Sequence, residues 1–265
     1  MFGYDSERVR LLEEELAEER RKVERLRKKN RRLRELGRPG GNARGGVGNL
    51  RFGDFRRLEP ISREFGLDRG RPIDRYYIEG FLARNAEDIR GRVLEIKDSA
   101  FTRKYGGGRV SRSDVLDIDE GNGRATIVAD LTRAEDVPSE AFDCIICTQT
   151  LHFIYDTSAA LSTLRRMLKP GGVLLATFPG IGQTSCQKLD EHYCWALTRV
   201  ATRKLCEEVF AGANVEIEAY GNVLAAVAFL EGLAVRELRK EELDHRDPDY
   251  ELLISLRAVK PGPGA

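Results

Sequence analysis

The sequence predicts an α/β fold in which a largely parallel sheet carries helices on both faces, and three observations predict it. First, the stretch Ala141–Pro179 reads as strand, helix, strand: the apolar run Phe142–Cys147, then polar Thr148-Gln149-Thr150, then Leu161, Leu164 and Leu168 on one helical face, then the buried run Val173–Phe178. Lys169-Pro170-Gly171-Gly172 separates helix from second strand, because proline cannot continue a helix and glycine takes positive φ at no steric cost. Second, three further strand-like runs precede this unit: GRVLEI at 91–96, SDVLDID at 113–119 and ATIVADL at 125–131. Third, a helical pattern PIDRYYIEGFLARNAEDI at 72–89 leads into the first of them, with Pro72 suited to a first helical position.

Residues 1–36 are a different material. The run from Ser6 to Leu36 is dense in Glu, Arg, Lys and Leu without Gly or Pro, and Val9, Leu16, Val23 and Asn30 fit heptad a positions, with Leu12, Glu19, Leu26 and Leu33 at d. This predicts a coiled-coil helix that joins copies of the chain, since a lone helix would leave a leucine seam in water. Residues 37–50, rich in glycine, form the linker, and 51–265 the globular domain.

The chain has 265 residues, and its 44 Lys+Arg against 43 Asp+Glu leave a formal charge of +1, so no global charge points to nucleic acid or an anionic membrane. No apolar run approaches the roughly 20 residues that span a bilayer. Five scattered cysteines without a leader pattern suggest a reducing, cytoplasmic setting. Cys144 and Cys147 are a C-x-x-C in form only, because strand residues three apart point to opposite faces. No His, Asp and Glu cluster has metal-ligand spacing, so no metal is expected.

"FD", an apolar run and a polar switch, followed by "LRRMLKPGG" and a second apolar run, resembles the second half of the class I S-adenosylmethionine (SAM)-dependent methyltransferases. Residues 68–108 are similar to a methyltransferase type 11-like subset often found beside glycosyltransferases. They share its D-R-G-x-P-I-D-R-Y-Y-I-E-x-F-L and V-L-E-I-x-D patterns, and Phe101 stands in a Y-T-R-x-x-G-G-like stretch. The resemblance implies a Rossmann-like class I methyltransferase sheet, a last strand inserted antiparallel, and SAM as cofactor. It also implies a hydroxyl acceptor on a sugar, saccharide or natural product, hence O-methylation. One departure stands out: the common first strand ends in acidic-x-G-x-G, and here Glu95 takes the acidic place, Lys97 the first glycine place, and no G-x-G follows. A catalytically silent methyltransferase-like scaffold is the alternative this raises, and a coiled-coil assembly module is another.

Carried over position by position, the resemblance implies cofactor contacts from Glu95, Lys97 and Asp98 after the first strand and from Asp119 to the ribose hydroxyls. It implies Asp130 and the Leu131 amide at the adenine, and Thr148 after the fourth strand. Tyr76 or Tyr77 could also touch cofactor or substrate, or simply pack the first helix. For removing a hydroxyl proton the candidates are His192, in the loop after the fifth strand, and His152, whose neighbours Leu151, Phe153 and Ile154 favour packing. Asp119 and Asp130 also have plain turn readings.

Overall fold

The computed structural model describes residue 12 and residues 15–29, 53–184 and 193–262. The chain divides into two compact units, Met1–Asp54 and Phe55–Ala265. In the first, residues 15–29 form helix α1. Leu12, Leu16, Val23 and Leu26 are each about half exposed, so the predicted apolar seam faces outward. Val9, Asn30 and Leu33 of that heptad lie outside the described residues.

The second unit is built on a seven-stranded sheet of order β3-β2-β1-β4-β5-β7-β6. Its strands are β1 (Gly91–Ile96), β2 (Val110–Asp117), β3 (Ile127–Val128), β4 (Phe142–Thr148), β5 (Leu168–Pro179), β6 (Asn214–Tyr220) and β7 (Leu253–Val259). Strands β1 to β5 pair in parallel, whereas β7 runs antiparallel to both β5 and β6. The helices are α2 (Ile73–Arg84), α3 (Thr157–Met167), α4 (Arg199–Val209), α5 (Val223–Leu230) and α6 (Lys240–Asp244).

Alternation along the strands divides the core in two. Leu94, Ile145 and Cys147 pack with Leu161 and Leu164 of α3 and Cys206 of α4. Val93, Cys144 and Ile146 point the other way, toward Tyr77 and Phe81 of α2 and Ala225 of α5. Cys144 and Cys147 therefore lie on opposite faces, both fully buried, and burial pushes both thiols up, away from thiolate chemistry.

Polar side chains set the element ends. Asp156, Thr198 and Asn222 accept from the amides of Ala159, Ala201 and Ala225 and start α3, α4 and α5. Asn222 also donates to the carbonyls of Glu242 and His245, which fastens α6 to α5. The "FD" aspartate, Asp143, accepts from the Arg92 amide at 2.8 Å and from Lys169 Nζ at 2.8 Å, tying β1 to the start of β5. A Cβ on Gly91, whose φ is +64°, would lie 2.4 Å from that carboxylate, so glycine is required there.

Five boundaries differ from the sequence reading. Helix α3 ends at Met167, and Leu168 with Lys169-Pro170-Gly171-Gly172 belongs to strand β5. Strand β2 ends at Asp117, two residues early, because Asn122 Nδ2 donates to Asp117 Oδ2 at 2.6 Å and to the Lys97 carbonyl at 2.8 Å, turning the chain. The third strand shrinks to Ile127–Val128 at the sheet edge, and Asp130 begins a turn by accepting from Thr132. Helix α2 stops at Arg84, where Asn85 Nδ2 donates to the Phe81 carbonyl at 2.9 Å. The sequence is helical in period over 223–243, but the helix is broken after Leu230: Gly232 sits at φ +69°, and a Cβ there would lie 2.2 Å from the Ser62 carbonyl.

Between β1 and β2 the chain forms a π-helical turn at Thr102–Gly106 and a 3-10 turn at Gly107–Arg109. Glu95 holds this loop. Its carboxylate, 3 % exposed, accepts from the Phe101 amide (3.0 Å), the Thr102 amide (2.7 Å) and Thr102 Oγ1 (2.7 Å). Burial nonetheless pushes the Glu95 carboxyl up. Glu95→Ala is expected to strand these donors and cost on the order of 3 kcal/mol or more, read as a lowered urea midpoint, while Thr102→Ser is expected to cost under about 1.5 kcal/mol. Equal losses in the two variants would remove the anchoring role.

Candidate functional site

Two cavities open beyond the carboxyl ends of the parallel strands, and the side chain of Phe153 lines both. The first, about 320 Å³, lies across the ends of β1 and β2 and the segment after β3. Ile96, Leu116, Ile118, Leu131 and Ile154 make its apolar surface, and Asp117 and Asp130 supply two carboxylates. Asp130 Oδ1 accepts from the amide and the hydroxyl of Thr132, each at 2.8 Å, and the amide bond in particular holds its carboxyl below the usual range. An apolar slot with two carboxylates at its rim suits a flat base and a vicinal diol, as in other sheets that hold nucleosides at the strand ends.

The structure places several predicted residues elsewhere. Asp119 is exposed and does not line the cavity; its Oδ1 accepts from the Gly121 amide at 2.8 Å, a turn role. Asp117, two residues earlier, occupies the cavity wall in its place. Glu95 lines neither cavity and acts through the loop it holds. Asp98 accepts from the Ala100 amide at 2.7 Å and starts that loop. Tyr76 points its hydroxyl at Asp244 of α6 and is bracketed by Arg71, so it is a helix-packing residue, while Tyr77 is buried and donates to the Leu243 carbonyl. Thr148 ends β4 beside Thr177, and the next residue, Gln149, lines the second cavity. Leu131 is buried, 4 % exposed, against the first.

Lys97 has φ +76°, the left-handed conformation that glycine adopts freely. The glycine turn of the first strand is thus retained with a lysine in it. The later glycines do other work: Gly106 leaves no room for a Cβ, which would lie 2.3 Å from Val110 Cγ2, and Gly107 turns the chain at φ +55°.

The second cavity, about 290 Å³, lies between the start of α2, the end of β4 and the segment after β5. Its polar wall includes Asp74, Arg75, Gln149, His152 and Tyr193, and Phe229 of α5 adds an apolar side. His152 is 4 % exposed, and its Nδ1 has no hydrogen-bond partner among the described residues, as is true of the Tyr193 hydroxyl. The two rings lie 4.9 Å apart between centroids. Burial lowers the His152 pKa to about 4, so the imidazole is neutral near pH 7. Burial also pushes up the carboxyl of Asp74 and the phenol of Tyr193. His192 lies outside the described residues. Among the described residues, no group of three or more His, Cys, Asp or Glu side chains could hold a metal ion.

Asp117, Asp74, Arg75 and Gln149 are the wall residues that the sequence reading left out. The signal for Asp117 was present in SDVLDID, which offers two acids at the strand end. For Asp74 and Arg75 it was an adjacent acid and base in the first helical turn after Pro72.

Residues 80–176 match the family model described as "Methyltransferase domain". Among solved structures, an S-adenosylmethionine-dependent methyltransferase from Mesorhizobium loti is 18 % identical, with 73 % of this chain and 100 % of that chain covered at a TM-score of 0.46. A SAM-dependent methyltransferase from Archaeoglobus fulgidus is 14 % identical, covering 70 % and 94 % at 0.45. Phosphoethanolamine N-methyltransferase 2 from Haemonchus contortus, in complex with S-adenosyl-L-methionine, is 17 % identical, covering 76 % and 60 % at 0.43. No curated protein matches the chain.

The buried neutral His152 makes stability depend on pH. Its folded pKa of about 4 lies below the ordinary histidine value of about 6.5, so the unfolded chain binds the proton more readily and stability falls as pH drops through that window. Between pH 7.5 and pH 5 this contribution is expected to remove on the order of 2 kcal/mol, and urea unfolding of His152→Gln is expected to lack that part of the slope. Identical slopes in both proteins would show that His152 is not held neutral.

Proposed function

We propose that the chain carries a class I SAM-dependent methyltransferase domain, which the match of residues 80–176 to a methyltransferase domain supports, and that it methylates a hydroxyl on a sugar, a saccharide or a hydroxylated natural product. The observation that carries this reading is His152: a neutral imidazole with an unpartnered Nδ1, in a cavity that meets the two-carboxylate cavity at Phe153. When bound, SAM supplies a methyl group already activated on a sulfonium. The chain's own task is to orient the acceptor and accept its proton, which for a positioned base contributes about 10²–10⁴-fold. His152 is the residue assigned to that proton, with His192 as the second candidate.

The residues at the first cavity fit the nucleoside part of the cofactor. Asp117 is assigned to the ribose hydroxyls, in the place first read as Asp119, and Asp130 with the Leu131 amide to the adenine edge. Lys97 and Asp98 shape the turn beneath it, and Thr148 ends the strand that separates the two cavities. Lys97 does not by itself favour a silent scaffold, because it retains the turn conformation that glycine would provide.

We further assign residues 1–36 to a coiled coil that makes the protein a homo-oligomer, with residues 37–50 as linker and 51–265 as the methyltransferase domain. The exposed seam of Leu12, Leu16, Val23 and Leu26 supports this. Among the described residues no helix is long and apolar enough to cross a membrane.

Three outcomes are expected. S-adenosylhomocysteine at about 100 times its dissociation constant should raise stability by roughly 2.7 kcal/mol, and Asp117→Asn should abolish most of that gain without lowering the ligand-free melting temperature by more than a few degrees; a full gain in the variant would remove the ribose assignment. His152→Gln should lower kcat on a hydroxylated acceptor about 10²-fold or more with S-adenosylhomocysteine affinity unchanged, and a methylated nitrogen in the product would overturn the O-methyl reading. Deleting residues 1–45 should reduce the mass seen by light scattering to that of one chain while ligand binding persists; an unchanged mass multiple would place assembly elsewhere.

A further inference from the structure

The first turn of α2 places an acid and a base side by side on one cavity wall, and no function has yet been given to them. Asp74 and Arg75 both line the second cavity. Asp74 Oδ1 accepts from the Arg75 amide at 2.7 Å, yet neither side chain enters an ion pair among the described residues. The Arg75 guanidinium lies over the Phe101 ring, 5.2 Å from its centroid, which fixes the plane and leaves the N–H groups to donate elsewhere. Asp74 is half-buried, and burial raises its carboxyl despite the opposing pull of the neighbouring Arg75 amide and charge. The other polar groups on this wall, including Gln149, neutral His152 and Tyr193, bring no positive charge to it.

We propose that Asp74 and Arg75 together form a receptor for an α-amino acid zwitterion, the methionine end of the cofactor, with the Asp74 carboxylate taking the ammonium and the Arg75 guanidinium taking the carboxylate. The proposal rests on the methyltransferase reading above and adds the site for the part of the ligand that the nucleoside cavity does not serve. Two further features carry it. Phe153 lines both cavities, so one ligand with a nucleoside at one end and an amino acid at the other can reach both. The loop after β1, where glycines would let backbone approach that ligand, is here folded on itself through Gly106 and Gly107 and anchored by Glu95. An adjacent acid and base on a helix pinned to that loop through Phe101 replace backbone recognition with charge recognition.

Isothermal titration of the full chain with two ligands tests this. S-adenosylhomocysteine carries the amino acid end; 5′-methylthioadenosine is the same adenosine thioether without it. The wild-type chain is expected to bind the first more tightly. Asp74→Asn, which keeps an oxygen for the Arg75 amide, and Arg75→Met, which keeps the stem over Phe101, are each expected to weaken S-adenosylhomocysteine about 10- to 100-fold and leave 5′-methylthioadenosine within about twofold. Arg75→Lys should recover part of the loss. Equal weakening of both ligands, or unchanged S-adenosylhomocysteine affinity in both variants, overturns the proposal. Wild-type chain that binds neither ligand overturns the cofactor reading beneath it, a result separate from the failure of these two residues.

Discussion

The carboxylate of Glu95 is the constraint on which the cleft depends. A charge this deeply buried would be expensive without partners, and it finds three donors within the loop that follows its own strand. That satisfaction folds the loop into a π turn, sets Phe101 under Arg75 and leaves the end of β1 clear for Lys97 to turn. The acid at the end of the first strand therefore shapes the site through backbone donors and does not itself stand in a cavity wall. Asn122 completes the frame from the other side by joining the Lys97 carbonyl to Asp117.

How much of this was legible in the sequence follows from the range of the interactions involved. The βαβ unit over 141–179 was readable because apolar periodicity and the Lys-Pro-Gly-Gly interruption are local, and the sheet order with its antiparallel β7 agrees with what the family resemblance implied. Asp119 was read as ribose contact or turn residue at the end of a strand over 113–119; the strand ends at Asp117 because of Asn122, a side chain that reaches back across the turn. Tyr76 was left open between the cleft and helix packing; its hydroxyl meets Asp244, which is 168 residues away and invisible to any helical wheel. The helix over 223–243 kept its period through a glycine whose missing Cβ matters only because Ser62 lies against it. His152 was weighed as packing or chemistry; it is buried like a core residue and still lines a cavity, so neighbouring residue types could not separate the two.

The charges divide the cleft. One cavity has two acids set among aliphatic side chains, with Asp130 kept ionised by the Thr132 amide. The other has one acid, one base and two rings, His152 and Tyr193, whose Nδ1 and hydroxyl have no partner among the described residues. Unpaired polar atoms in a protein interior are costly and are retained where something else completes them. Among the described residues three buried side-chain atoms lack a partner: His152 Nδ1 and the Tyr193 hydroxyl line the second cavity, and the third, Arg165 Nε, lies on α3.

The direction of β7 has a practical meaning. Its first residue pairs with Pro179 beside the cleft and its last pairs with Val173 at the opposite margin of the sheet. Chain leaving β7 therefore departs from the rear of the domain. A fluorophore, affinity handle or surface tether placed on that margin would leave the cleft open to solvent.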